Sequence, residues 1–172
     1  MTEMLLLYLL LQGQSTMYGL VKNLNKYFGA ITQPGMGTVQ PALKRLEKQG
    51  FIKSDKFFTD GGKPYFYYSI TSDGQNALTT EILSAPSSNP IQLYPAIKLK
   101  LICSDILEPD ERKVLYQTLK TELLKVKNQA EGTLELELYG NNHSAKMVLN
   151  NVICEYKNTL DLIEGLKNAG NR

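Results

Sequence analysis

The chain has no tryptophan, a single histidine and only two cysteines in 172 residues. One histidine without neighbouring cysteines or carboxylates cannot build a zinc site, so His143, in "YGNNHSAK", reads as a turn or helix start. Cys103 and Cys154 sit far apart in apolar stretches and read as buried free thiols rather than a disulfide. A phosphate-cradling glycine loop and a nucleophile elbow are both missing, so no catalytic residue, metal or cofactor is expected and the chain does not read as an enzyme. No stretch approaches the roughly 18 apolar residues that span a bilayer. The opening "MTEMLLLYLLLQGQ" carries Glu3 and lacks the basic start and small-residue cleavage site of a signal peptide. It reads as a buried helix, which implies a cytoplasmic protein with no membrane partner.

A large excess of one charge is also lacking: the net charge is +2. Its distribution is uneven. Residues 1–80 hold eight Lys/Arg against five Asp/Glu (+3), and the remainder holds eleven against twelve (−1). The first half therefore leans toward an anionic partner.

"SAPSSNP", residues 84–90, breaks the chain, because two prolines among serines and an asparagine do not continue a helix. This gives a first domain at 1–84, a linker at 85–93 and a second domain at 94–172. Before the break, residues 2–12 form a helix that is apolar nearly all round. "STMYGLVKNLNKYFG" forms a second, capped by Ser15 or Thr16, striped by Leu20, Val21, Leu24 and Phe28, and stopped at Gly29. The third is "GTVQPALKRLEKQG", expected over 38–49 with Thr38 as its cap and Pro41 in the first turn, where a missing N–H costs nothing. At about 100° per residue, Val39, Ala42, Leu43 and Leu46 share one face. Gln40, Pro41, Lys44, Arg45 and Lys48 occupy the outer side, and Glu47 sits at the edge. A solvated amphipathic helix would look the same; the hairpin downstream of it tips the balance.

From Phe51 the hydrophobic period drops toward 2. "FIKSDKFFTDGGKPYFYYSIT" (51–71) reads as strand, glycine turn, strand, with Phe66, Tyr68 and Ile70 alternating against Tyr65, Tyr67, Ser69 and Thr71. A short helix at about 72–83 closes the domain. The fold class is therefore mainly α with a small β-hairpin (α+β): an N-terminal winged helix-turn-helix and a C-terminal helical domain. In that setting Gln40 and Arg45 suit base edges, and Lys44 and Lys48 suit phosphates. Lys56 and Lys63 place positive charge on the wing.

The residues "GTVQPALKRLEKQGFI" and "DGGKPYFYYSITSDGQNAL" closely resemble the PadR family of bacterial transcriptional regulators. The shared features are Gly37-Thr38, Pro41-Ala42-Leu43, Leu46-Glu47 with Gly50, Gly61-Gly62, and Tyr67-Tyr68 through Thr71 and Gly74. Two positions depart from the family pattern: Gln40 stands where a tyrosine is usual, and Met17 precedes Tyr18 where a glycine often stands. The resemblance covers about residues 1–80. It implies a repressor that binds double-stranded operator DNA, with Tyr18, Thr38, Gln40, Pro41, Lys44, Arg45, Lys48, Lys56 and Lys63 at the contact. A small-molecule effector is an open partner. The alternative is a winged-helix protein-interaction module without DNA binding, motivated by Gln40 and the sparse wing charge.

Beyond the break, helices are expected at about 94–107 (Ile97, Leu101, Ile102), from Pro109 to about 138 (Val114, Leu115, Leu119, Leu123, Val126), and after the Gly140-Asn141-Asn142 turn. The last carries Ala145, Leu149, Val152, Tyr156, Leu160 and Ile163 at steps of three or four. An intrachain core explains these stripes as well as a partner does. The two-fold match between a dimer and a pseudo-palindromic site, together with the family resemblance, favours a homodimer through Leu149, Val152, Tyr156, Leu160 and Ile163.

Overall fold

The computed structural model describes residues 1–136, 139 and 141–169. Its elements are α1 (Thr2–Leu11), β1 (Ser15–Thr16), α2 (Met17–Phe28), α3 (Met36–Lys48), β2 (Ile52–Phe58), β3 (Pro64–Ile70) and α4 (Ser72–Leu83). There follow α5 (Pro90–Ile102), a 3₁₀ turn (Cys103–Ile106), α6 (Pro109–Thr133) and α7 (His143–Ala169). The fold is mainly helical with a small antiparallel sheet, in winged-helix order. By packing, one compact unit comprises Met1–Ile82 with Lys98–Ile106, and the other comprises Leu83–Ile97 with the described residues from Leu107 onward. Residues 98–106, which the composition break assigns to the second half, thus pack in the first unit.

In the first unit α1 buries Met4, Leu5, Leu6, Leu7, Leu9 and Leu10, as an all-round apolar helix must. Thr16 caps α2, its hydroxyl accepting from the Gly19 N–H at 3.1 Å. Leu20, Leu24 and Phe28 reach the core, and Val21 is only half-buried. Gly29 ends α2 in the right-handed region (φ −59°), so it does not supply a left-handed turn.

α3 begins earlier than Thr38. Both the Thr38 and Val39 N–H groups bond the Gly35 carbonyl at 3.0 Å, which makes Gly35 the cap and Thr38 an interior residue. Pro41 consequently lies beyond the first turn, and the exposed Gly37 carbonyl lacks the i+4 donor another residue would provide. Two glycines around Met36 hide this extra turn from propensity reasoning. At its other end α3 closes in a Schellman motif: Phe51 N–H bonds Leu46 (2.9 Å), Gly50 N–H bonds Glu47 (3.0 Å), and Gly50 takes φ +76°.

The hairpin pairs Ile52 with Ile70, Ser54 with Tyr68 and Phe57 with Tyr65. It is not alone. Ser15 and Thr16 add a third strand, pairing with Tyr68 and Tyr67, so the sheet order is β1-β3-β2. A two-residue strand leaves no alternation to read. The hairpin leads into α4 through Thr71, whose hydroxyl donates to the Gly50 carbonyl (2.8 Å) and accepts from Gly74 N–H (3.1 Å). Thr71 thus ties the end of α3 to the start of α4. Thr71→Val removes both bonds and is expected to cost about 1–2 kcal/mol. Urea unfolding would show a lower midpoint at unchanged slope.

In the second unit α5 starts at Pro90. The Asn89 side chain accepts from Ile91 N–H (3.0 Å), so the Asn-Pro pair that reads as a breaker is a cap with proline in the first turn, and the expected linker is shorter. α6 opens on a capping box, Glu108 N–H bonding the Glu111 carboxylate at 2.9 Å. It buries Leu115, Tyr116, Leu119, Leu123 and Val126; Val114, expected on that face, is exposed because Tyr116 takes the inner position. The helix ends at Thr133 rather than near 138. Glu137, Leu138 and the turn residue Gly140 lie outside the described residues. Asn142 caps α7 by accepting from Ala145 N–H at 3.0 Å. A Lys120–Glu164 ion pair joins α6 to α7, and the Lys120 ammonium holds the Glu164 carboxyl below the usual carboxylate range. Of the cysteines, Cys103 is buried, and burial raises its thiol to about 12. Cys154 is exposed, contrary to expectation, because it falls on the outer side of α7.

Candidate nucleic-acid interface

α3 is held on two sides and free on a third. Val39, Ala42, Leu43 and Leu46 are buried. On one flank Glu47 accepts from the Ser54 hydroxyl of β2 at 2.5 Å. Glu47 also helps raise the Tyr68 phenol, an effect second to burial. On the other flank Arg45 pairs with Glu3 of α1 at 2.6 Å. Gly37, Gln40, Pro41, Lys44 and Lys48 remain exposed between these flanks. The last four lie 3, 4, 7 and 11 positions after Gly37, which makes the set one stripe along the helix. Thr38 is exposed beside it.

Arg45 therefore lies at the edge of the stripe, oriented by a carboxylate 42 positions earlier in the chain. Such a pairing leaves no local sequence signal. Lys22 is absent from the expected contact set for a different reason. It follows Tyr18 by one turn of α2, and both are exposed, Tyr18 at 72%. That i, i+4 spacing is a signal present in the sequence itself, and it suffices to place Lys22 beside Tyr18.

In the wing, strand alternation puts Lys56 and Phe58 on the same sheet face as Ser54, the face that meets α3 through Glu47. The Lys56 ammonium stands 5.0 Å from the centre of the Phe58 ring. Phe57 packs on the opposite face with Tyr65 (5.8 Å) and Tyr67 (5.6 Å). The turn is set by Thr59, whose N–H bonds the Lys63 carbonyl (3.0 Å) and whose hydroxyl accepts from Lys63 N–H (3.1 Å). Gly62 supplies the one positive φ of the loop, +73°. The Lys63 side chain is exposed. A concave surface of about 740 Å³ runs between the wing and the starts of α2 and α3, walled by Tyr18, Met36, Phe58 and Tyr65–Tyr68.

The outer helix stripe, the wing and the intervening groove belong to the part of the chain that matches a known family. The match is to the Transcriptional regulator PadR-like family over residues 6–80. Those residues form a PadR-like domain. The curated proteins contain no match to this chain. Among solved structures it is similar to Bacillus subtilis PadR in complex with operator DNA (17% identity, 98% of each chain covered, TM-score 0.48). It is also similar to a PadR-like transcriptional regulator from Bacillus cereus (28% identity, 45% of this chain and 74% of that one, TM-score 0.39). A third similar structure is Bacillus subtilis PadR with p-coumaric acid (16% identity, 99% and 95% covered, TM-score 0.39).

Outside the PadR-like domain, the five residues expected at a dimer interface divide. Tyr156 and Ile163 are buried within their own chain, whereas Leu149, Val152 and Leu160 are half-exposed. Met147, Val148 and Leu162, which the stripe does not include, are exposed apolar residues of α7. Among the described residues no group of His, Cys, Asp and Glu could hold a metal, and no helix is long and apolar enough to cross a membrane.

Proposed function

We propose that this chain is a cytoplasmic, sequence-specific DNA-binding transcriptional regulator that acts as a dimeric repressor. The observation that carries the reading is the exposed Gly37-Gln40-Pro41-Lys44-Lys48 stripe on a helix whose other sides are occupied. Lys44 and Lys48 contact phosphates, and Gln40 presents an amide with the geometry to bond adenine N6 and N7. Arg45, set by Glu3, reaches the edge of the same groove. Tyr18, Lys56 and Lys63 border the backbone on the α2 and wing sides. Thr38 and Pro41, near the helix start, give the backbone close access. Two copies joined through the outward apolar residues of α7 would present two such helices to a pseudo-palindrome.

Binding to the DNA upstream of its own gene, measured over a salt series, tests this. Log K falls linearly with log salt if phosphates are neutralised. A flat or absent response sinks the reading. The apolar wing, with Phe57, Phe58 and Phe66 exposed, favours the second reading, a protein-interaction module. Partner binding combined with that flat response would select it. Gln40→Ala separates base reading from charge. It is expected to lose about 1–3 kcal/mol of discrimination between the target and a site mutated at one adenine, with the salt slope unchanged.

A further inference from the structure

Lys44, Arg45 and Lys48 share the outer side of α3, yet among the described residues only Arg45 has an ion-pair partner. Its Nε donates to Oε1 of Glu3 at 2.6 Å. The two side chains are open to water, at 59% for Arg45 and 35% for Glu3. Their backbones are not. Met4, Leu5, Leu6 and Leu7, which follow Glu3, are buried, and so is Leu46 beside Arg45. Both partners therefore stand on rigid core helices, and Glu3 lies in the first turn of α1, where the helix dipole favours a negative group. An exposed pair of this kind contributes little to stability. Its consequence lies in what it does to the surface of α3.

A guanidinium is a planar fork of five N–H donors. Glu3 engages Nε alone, and the two terminal amino groups make no hydrogen bond among the described residues. The carboxylate offsets the positive charge, so the attraction to phosphate, which follows net charge, is largely cancelled. Directional donation is not cancelled. Two parallel donors match two adjacent acceptors, and in the major groove that pattern belongs to guanine, through N7 and O6; adenine presents a donor at N6 instead. Lys44 and Lys48 keep their full charge for phosphates. The pair thus divides the outer face by chemistry, with charge on the stripe and a neutralised fork at its edge.

We propose that Glu3 is a specificity-determining residue: it turns Arg45 from a phosphate contact into a reader of a single guanine beneath each α3. This rests on the proposed DNA function and adds to it a base, a reader and the residue that positions the reader. A rim carboxylate acting by simple repulsion would weaken binding to all DNA equally. Acting through Arg45, it weakens binding to random sequence, where a free arginine would take a phosphate, and sharpens binding where the guanine is present.

The test uses the full chain, the DNA upstream of its own gene and a random-sequence duplex. Each guanine of the upstream site is replaced in turn by 7-deazaguanine, which deletes the N7 acceptor alone. Wild type is expected to lose at least about fivefold in affinity at one such position under each helix. Arg45→Gln removes that sensitivity, and so does Arg45→Lys, which keeps the charge and loses the fork. Glu3→Gln is expected to reduce the sensitivity to below about twofold, to tighten binding to random sequence by about threefold or more, and to steepen the slope of log K against log salt by about 1. In the Arg45→Gln background Glu3→Gln should change none of these. The pair is exposed, so the variants fold with urea midpoints close to that of wild type. No guanine whose N7 matters through Arg45 overturns the base assignment. Unchanged slope and unchanged guanine sensitivity in Glu3→Gln overturn the role of Glu3. An effect of Glu3→Gln that persists without Arg45 means plain repulsion and overturns the route through Arg45. A wild-type chain with no salt-dependent DNA affinity overturns the proposed function instead.

Discussion

Replacing both Lys44 and Lys48 by glutamate is expected to lower affinity for the upstream DNA by at least about 100-fold at 0.15 M salt, and to reduce the slope of log K against log salt by about 2. The two ammonium groups sit one turn apart on the exposed stripe. Neither has an ion-pair partner among the described residues. Reversing them therefore removes two phosphate contacts without breaking anything in the fold, and urea unfolding should be nearly unchanged. Arg45 provides the contrast. It is partly neutralised by Glu3, so Arg45→Ala should change the slope by less than either lysine reversal, with a stability loss below about 1 kcal/mol for an exposed pair. If the double variant binds as the wild type does, α3 is not the reading element.

Gly74→Ala is expected to destabilise the first unit by roughly 2–3 kcal/mol. A Cβ at Gly74 would run into the Phe51 carbonyl oxygen and stand 2.8 Å from Cγ1 of Ile70. The carbonyl cannot turn away, because the Thr71 N–H is bonded to it at 3.0 Å. Relief would have to come from separating α4 from the hairpin. Gly61→Ala is the control. Its Cβ would meet only the Thr59 hydroxyl at 3.9 Å, and its backbone is not left-handed, so little change in the urea midpoint is expected. Equal midpoints for the two variants would mean that the close approach at Gly74 is not a packing constraint.

The same contact gives a physical reason for part of the motif that carries the family resemblance. Gly50 turns the chain, Thr71 bonds Gly50 and caps α4, and Gly74 lets α4 approach Phe51. These residues are recognisable in sequence as a set, although the bonds joining them are not. The helices are legible wherever a stripe is buried in its own chain, as with Leu20, Leu24 and Phe28, or Leu115, Leu119 and Leu123. Element starts are harder. Thr38 has good cap chemistry, but a backbone that already bonds Gly35 leaves it nothing to cap. Asn89-Pro90 reads equally as a stop or a start, and only the bond from Ile91 decides. The outward stripe of α3 is visible residue by residue, whereas the diversion of Arg45 toward Glu3 needs the folded chain.

Lys100 carries a consequence for how the chain can be divided. Its buried ammonium donates to the carbonyls of Glu81 and Ile82 in the last turn of α4, and burial lowers its affinity for the proton. The end of α4 is thus completed by a residue that arrives after the chain has left the first unit and come back. Excision at the serine-rich break would sever that return segment and strand two backbone acceptors. The first unit is not a cassette to be lifted out or grafted onto another partner as a continuous stretch. A fragment that keeps the first unit whole would have to run through Ile106, carrying all of α5 and the 3₁₀ turn with it.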